Sequence, residues 1–142
     1  MTAHLFVYGT LVPQEAGTFG AHERMRLAAE ADLIGPATTD GVLFDLGDYP
    51  GLADGDGLVH GAVYRLRNTA ATFAWLDGYE GVTGTEGDDY VRRVRAVTIA
   101  ARAMMLCWVY VFVQSTGERR RIESGRWSAH RGGARREPSQ LQ

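Results

Sequence analysis

The feature that most constrains the fold is a nearly unbroken apolar segment, Met104 to Val113, late in the chain. Its second half, Trp108 to Phe112, consists of aromatic and β-branched residues, which favour a strand over a helix. Continuous apolarity over so short a length is typical of a strand that is buried on both faces. The sequence therefore predicts a strand from Met104 to Val113 at the centre of a sheet.

Four further segments have the composition and the flanking turn residues of strands. They are Leu5 to Tyr8, Val42 to Leu46, Val59 to Leu66 and Tyr90 to Ile99. The region before the second of them is ambiguous. Glu30 to Gly35 fits a strand that ends at Pro36, but the overlapping Met25 to Ala31 fits a helix equally well.

The order of these elements predicts a single α+β domain built around a mixed, barrel-like sheet. We assign residues 1–130 to this domain. Residues 131–142 are mostly Arg, Gly, Gln and other residues that have nothing apolar to bury, which predicts a disordered tail.

Charge and cysteine content exclude several functional classes. The net charge of -2 provides no strongly basic face, so we expect no nucleic-acid partner. Cys107 is the only cysteine, which rules out an internal disulfide and a cysteine-based metal cluster. The chain has no long apolar run and begins without a secretion signal, so we expect a cytoplasmic protein with no membrane partner.

One segment places an acid on the apolar face of a helix. Asn68 is a good N-cap, and Phe73 and Leu76 follow on one side of the predicted helix before Gly81. Glu80 lies four residues after Leu76, so a helix that reaches it turns its carboxylate toward the core. Loss of solvation raises the pKa of such a group toward the range of a general acid/base. The alternative is a solvent-exposed glutamate that closes the helix.

A second segment could hold a carboxylate. The first predicted strand ends in Tyr8, Gly9, Thr10 and Leu11, and it breaks at Pro13. Glycine allows backbone geometries that other residues avoid, so successive N–H groups in this turn can converge on an anion. The alternative is an ordinary turn between a strand and a loop.

The segment from Asp45 to Gly57 is rich in turn residues, and we expect a loop there. Its glycines do not have the spacing of a dinucleotide-binding turn, and Asp54 and Asp56 lack the other ligands of a calcium loop. No cofactor or metal is therefore expected from this segment.

These segments, taken together and in order, resemble the γ-glutamylcyclotransferase superfamily, especially its small AIG2-like and γ-glutamylamine cyclotransferase members. The resemblance runs from about Leu5 to Trp127. It depends on seven short matches: Val-Tyr-Gly-Thr-Leu at 7–11, Asp-Tyr-Pro-Gly-Leu at 48–52, Val-His-Gly-Ala-Val-Tyr at 59–64, Leu-Asp-Gly-Tyr-Glu-Gly at 76–81, Tyr-Val-Arg-Arg at 90–93, Trp-Val-Tyr-Val-Phe at 108–112 and Ile-Glu-Ser-Gly-Arg-Trp at 122–127.

The resemblance implies a compact mixed sheet with flanking helices and an enzyme that needs no cofactor. It implies that Glu80 is the catalytic general acid/base, that Tyr8 to Leu11 bind the substrate, and that Tyr90 and Tyr110 line the pocket. The implied reaction cyclises the γ-glutamyl group of a small γ-glutamyl amine or peptide to 5-oxoproline and releases the amine. The loop Gly84 to Asp89 is longer than the family's pattern, which leaves the leaving group open.

Two other functions remain open at this point. The same fold could bind a small metabolite without turnover, or it could remove a γ-glutamyl protecting group from a biosynthetic intermediate. Other reactive residues have structural interpretations: Cys107 lies in the most apolar strand and is expected to be inert, and His60 is expected to be a structural residue. Arg119 to Arg121 are interpreted as a solvated edge.

Overall fold

The structure, a computed structural model, describes residues 2–128. The predicted tail, residues 131–142, lies outside the described residues. In chain order the elements are β1 (His4–Val7), α1 (Ala21–Glu30), β2 (Ala31–Asp45), β3 (Pro50–Leu66), α2 (Thr69–Glu80), β4 (Tyr90–Thr98), a 3₁₀ turn (Ala100–Arg102), β5 (Met104–Phe112) and β6 (Arg120–Arg121). Among the described residues, neither α-helix is long and apolar enough to cross a membrane.

The strands form a mixed sheet that closes on itself. β1 pairs antiparallel with β3 and parallel with β5, while β2 pairs antiparallel with both β3 and β4, and β4 pairs antiparallel with β5. The ring β1-β3-β2-β4-β5 is thereby complete, and the short β6 extends the edge of β2. The predicted α+β class and barrel-like sheet are confirmed.

β5 is the strand with two buried faces that the sequence predicts. Its inward residues Cys107, Val109 and Val111 belong to one apolar cluster inside the barrel. The alternate residues Tyr110 and Phe112 belong to a second cluster on the outer face, with Trp108 packed against it, under the helices. The first half differs from the prediction, since Met104 and Leu106 are exposed.

β2 and β3 form a hairpin much longer than the predicted strands. The ladder runs from Ala31 opposite Leu66 to Asp45 opposite Pro50, and only residues 46–49 lie in the loop between the strands. The expected loop from Asp45 to Gly57 is therefore wrong over most of its length. Asp54 to Gly57 instead bulge from the ladder opposite Gly41, which explains their turn composition inside a strand. The ambiguity before β2 is resolved as a helix that ends at Glu30, with the strand beginning at Ala31.

α2 is the predicted helix, and both of its ends are capped. The side chain of Asn68 accepts a hydrogen bond from the N–H of Ala71 at 3.1 Å. Gly81 ends the helix in the left-handed conformation with φ 74°, which glycine adopts without strain. Leu76 and Phe73 are buried against the outer face of the sheet, and Glu80 is the last helical residue.

Gly61 on β3 allows the end of β1 to approach closely, and this leads to a first prediction. A Cβ at Gly61 would lie 2.0 Å from the carbonyl oxygen of Val7, whereas a Cβ at Gly78 in α2 would meet nothing within 4 Å. We expect Gly61→Ala to destabilise the protein by on the order of 3 kcal/mol through overpacking. The control Gly78→Ala should stabilise it by about 1 kcal/mol. Urea unfolding followed by tryptophan fluorescence checks both, and equal midpoints for the two variants would contradict the prediction.

Candidate active site

A cavity of about 300 Å³ lies between the loop after β1 and the end of α2. All the sequence-predicted site residues line this one cavity: Tyr8, Gly9, Thr10, Leu11 and Glu80. Tyr90 of β4 and Tyr110 of β5 also line it. Thr10 and Glu80, which are 70 positions apart in the chain, are brought together because β1 pairs with β5 and α2 packs onto β5.

Glu80 presents an unpartnered carboxyl group to the cavity. The residue is partly buried, and no hydrogen bond or ion pair to it is found among residues 2–128. Burial removes solvation, and the charge of Asp77 one turn earlier repels a second negative charge. Together these effects raise the pKa of Glu80 from 4.5 to about 8.

Asp77 and Arg92 form an ion pair beside Glu80 to which the sequence analysis assigns no role. The guanidinium donates Nε–H and Nη2–H to the two carboxylate oxygens of Asp77 at 3.0 and 3.1 Å. The Tyr110 hydroxyl donates to Asp77 at 2.6 Å, and Arg92 lies over the ring of Phe73 at 3.9 Å. This network ties α2 to β4 and β5 and so fixes the helix end that carries Glu80. The sequence signal for it is weak: Asp77 and Glu80 are three residues apart on one helix face.

Tyr8 contributes to the scaffold of the cavity. Its hydroxyl donates to the carbonyl oxygen of Tyr110 at 2.6 Å and accepts from the N–H of Leu52 at 3.2 Å. Burial, with a smaller contribution from the charge of Glu80, raises the pKa of this phenol. The hydroxyl of Tyr8 is therefore committed to joining β1, β3 and β5, and only the rest of the residue faces the cavity.

The turn after Tyr8 leaves three N–H groups unused. The N–H of Val12 donates to the carbonyl oxygen of Gly9 at 3.2 Å, which closes the turn. No hydrogen bond among residues 2–128 uses the N–H of Gly9, Thr10 or Leu11, although Thr10 and Leu11 are buried. Buried N–H groups are nearly always paired, so this turn has the donors that an anion requires.

The reason for glycine at position 9 differs from the expected one. The backbone there lies outside the left-handed region, so other residues can adopt the turn. A Cβ at Gly9 would instead lie 2.8 Å from Cγ and Cδ of Pro50. Glycine is required because the loop packs against the first residue of β3, and the expectation of a special backbone geometry at Gly9 is wrong.

Side chains of both helices hold this loop in place. Arg24 of α1 donates to the carbonyl oxygens of Thr10 and Gly17, both at 2.7 Å. The hydroxyl groups of Thr10 and Tyr79 are hydrogen bonded at 2.8 Å, which joins the loop to the residue before Glu80. Sequence reasoning missed Arg24, since nothing in the local pattern distinguishes it from a solvated arginine.

The lengthened loop after Glu80 is ordered around one carboxylate. Asp88 accepts from the hydroxyl of Thr83 at 2.6 Å and from the N–H groups of Thr83 and Gly84 at 2.7 and 2.8 Å. These hydrogen bonds lower the pKa of Asp88 to about 2. Gly87, Asp88 and Asp89 consequently form a defined part of the cavity wall.

The remaining candidates lie away from this cavity. Cys107 is fully buried inside the barrel, where burial raises the pKa of its thiol to about 12, in agreement with an inert residue. The backbone N–H of His60 donates to Gly125, and burial followed by the charge of Arg126 lowers the pKa of its ring. Among residues 2–128 no group of three or more His, Cys, Asp or Glu is placed to hold a metal ion. That the protein needs no cofactor stays a prediction.

Fold and cavity together define the class: a small α+β barrel protein with a desolvated carboxyl group and a turn of unused N–H groups in the wall of one cavity. Comparison with known proteins agrees with this. The family model for γ-glutamyl cyclotransferase, AIG2-like, matches residues 5–129. The γ-glutamylcyclotransferase family protein YtfP of Escherichia coli is 33% identical over 124 residues, which cover 87% of this chain and 94% of YtfP.

Solved structures show the same fold. The solution structure of E. coli YtfP matches with a TM-score of 0.59 at 34% identity, covering 87% of this chain and 95% of that one. The crystal structure of Bacillus subtilis YkqA matches with a TM-score of 0.68 at 24% identity, covering 95% of this chain and 43% of YkqA. This chain belongs to the AIG2-like γ-glutamylcyclotransferase family.

The raised pKa of Glu80 predicts how stability depends on pH. The unfolded chain releases this proton near pH 4.5 but the folded one near pH 8, so the folded state loses stability across that interval as pH rises. Glu80→Gln removes this loss. Thermal unfolding should therefore show the variant above the wild type at pH 8 or higher and equal to it below about pH 4.5. The exposed Glu86→Gln is the matched control, and a pH-independent difference for Glu80→Gln would contradict the buried position of the carboxyl group.

Proposed function

We propose that this protein cyclises the γ-glutamyl group of small γ-glutamyl amides to 5-oxoproline and releases the amine, with Glu80 as general acid/base. The observation that carries the proposal is the unpartnered Glu80 carboxyl group in the same cavity as the unused N–H groups of Gly9, Thr10 and Leu11. The names of the relatives, which describe γ-glutamylcyclotransferases, support the reaction class.

The reaction consumes nothing besides the substrate. The α-amine of the glutamyl group attacks its own γ-carbonyl carbon, so a new C–N bond closes a five-membered ring. The original amide C–N bond then breaks, and its electron pair leaves with the departing amine. Starting from the α-ammonium form, the attacking nitrogen loses two protons, one before the attack and one as the lactam forms. The departing nitrogen gains two and leaves as an ammonium ion, so a single carboxyl group can carry the protons from one nitrogen to the other in turn.

Glu80 has the acidity that such a shuttle needs. A pKa of about 8 means that both forms of the carboxyl group are populated near neutral pH. The ionised form accepts a proton from the α-ammonium group, and the protonated form donates it to the amine. General acid–base catalysis of this kind contributes about 10²- to 10⁴-fold in rate.

The turn at Gly9 to Leu11 would hold the other end of the glutamyl group. Its three N–H groups are suited to the α-carboxylate, which is the only permanent anion of a γ-glutamyl amine. Binding there keeps the flexible chain folded with the α-amine near both Glu80 and the γ-carbonyl carbon. Such positioning can remove on the order of 7 kcal/mol or more from a barrier. A small-molecule substrate and a cytoplasmic location are part of the same proposal.

The first test replaces the carboxyl group of Glu80 by an amide of nearly the same size and shape. Glu80→Gln should fold but release 5-oxoproline from γ-glutamyl amides at least about 100-fold more slowly than the wild type. The wild-type kcat/KM should rise with pH through about 8, because the base must be ionised. Glu86→Gln, an exposed glutamate in the following loop, should keep full activity.

Comparable turnover by Glu80→Gln would exclude Glu80 as the acid/base. Binding of γ-glutamyl amides by the wild type without formation of any 5-oxoproline would favour a metabolite-binding module instead.

The second test removes the anion and leaves the protein unchanged. A γ-glutamyl amide whose α-carboxylate is converted to a neutral carboxamide loses the charge-assisted hydrogen bonds to the turn, which are worth about 1.5–3 kcal/mol. We expect its kcat/KM to fall by about 10- to 150-fold. The fall should come from a higher KM, with kcat unchanged, if the carboxylate is bound equally well in the ground state and the transition state. Equal efficiency of the two substrates would show that the turn at Gly9 to Leu11 does not bind the carboxylate.

A further inference from the structure

Two exposed aromatic rings stand at the mouth of the cavity. Phe19, from the segment before α1, is 39% exposed, and Tyr49, from the loop between β2 and β3, is 36% exposed. Both line the cavity, and their ring centroids are 5.9 Å apart. Of the other lining tyrosines, Tyr8, Tyr90 and Tyr110 are at most 7% exposed, and the partly buried Tyr79 is hydrogen bonded to Thr10. Phe19 and Tyr49 therefore mark the opening toward solvent.

These rings continue an aromatic wall that begins inside the cavity. The centroid of Tyr49 is 6.4 Å from that of Tyr90, and the hydroxyl of Tyr90 donates to the carbonyl oxygen of Pro50 at 2.6 Å. The inner ring is therefore fixed, while the two outer rings keep uncovered apolar surface. Exposed apolar surface that borders a cavity is characteristic of a ligand-binding site.

The charges of the cavity wall are of one sign. Glu80, Asp88 and Asp89 line the cavity, and none of its described lining residues is basic. The carboxylate of Asp88 is already satisfied by its own loop, so it offers no site for a cation. A second carboxylate on a substrate would meet like charges and no positively charged partner.

From these observations we infer that the outer part of the cavity selects the leaving amine: it takes amines with an apolar, preferably aromatic, substituent and without a carboxylate. Phe19 and Tyr49 would contact that substituent and thereby determine specificity. The inference rests on the proposed function, because the leaving nitrogen must lie beside Glu80 and the rest of the amine must then extend toward the mouth. It goes further by naming the substrate class.

Three substrates with the same glutamyl group separate the preference for an aromatic substituent from the rejection of a second carboxylate. γ-Glutamyl phenethylamide carries a ring and no second carboxylate, γ-glutamyl-phenylalanine adds that carboxylate, and γ-glutamyl ethylamide lacks the ring. We expect kcat/KM for the phenethylamide to exceed both others by about tenfold, as one aromatic contact or one unfavourable charge contact can produce.

Variants at the mouth then test which residues are responsible. Phe19→Ala and Tyr49→Ala should each lower kcat/KM for the phenethylamide by about 3- to 10-fold and leave the ethylamide within about twofold. Tyr49→Phe keeps the ring and should keep the preference. Leu33→Ala is the matched control, since Leu33 is an exposed apolar residue outside the cavity lining. Unchanged turnover of the ethylamide also reports that each variant is folded.

The outcomes distinguish this inference from the proposed function. If the wild type releases 5-oxoproline from all three substrates with equal efficiency, the specificity is wrong and the reaction stands. The same holds if γ-glutamyl-phenylalanine is the best substrate, or if the alanine variants lose the ethylamide as much as the phenethylamide. If none of the three is cyclised, the proposed function fails and the inference fails with it.

Discussion

Burial of β5 on both faces is the constraint on which the rest of the structure depends. Its inner residues, among them Val109 and Val111, fill the barrel, so the ring of strands can close only around this strand. Its outer residues Trp108 and Tyr110 form the surface that Phe73 of α2 packs against, with ring centroids at 6.0 and 6.4 Å. The position of α2 follows from that contact. One strand thus fixes both the barrel and the helix end that carries the acid.

The electrostatics of the site depend on a second, smaller arrangement. Burial, and after it the carboxylate of Asp77, raises the pKa of Glu80, but two partly buried acids at one helix end would be unfavourable without compensation. Arg92 supplies it through a bidentate pair with Asp77, and its guanidinium is itself covered by the rings of Phe73 and Trp108. The positive charge is therefore directed to Asp77 and leaves Glu80 unpaired in the cavity. A fixed ion pair next to a free acid is an arrangement that suits proton transfer.

The loop after β1 is held in place by side chains and by packing rather than through the N–H groups of its turn. Arg24 donates to the carbonyl oxygens of Thr10 and Gly17, and the hydroxyl of Tyr79 is hydrogen bonded to that of Thr10. Pro50 fills the space beside Gly9. None of these contacts involves the backbone N–H groups of Gly9, Thr10 and Leu11, which accordingly stay unused among residues 2–128. The same division of roles applies to Tyr8, whose hydroxyl serves the scaffold.

Sequence by itself determined the features that arise between near neighbours in the chain. The two-sided apolarity of β5, the Asn68 cap, the Gly81 stop and the position of Glu80 one turn after Leu76 are all local patterns, because strand and helix periodicity place side chains on faces without reference to the rest of the fold. Only the tertiary structure decided the length of the β2–β3 hairpin, the reason for Gly9, the Asp77–Arg92 pair and the meeting of Phe19 with Tyr49. The contacts of Gly9 with Pro50, Asp77 with Arg92 and Phe19 with Tyr49 join residues 41, 15 and 30 positions apart, and the hairpin pairs residues up to 35 positions apart. Barrel closure, rather than any local preference, selects such partners.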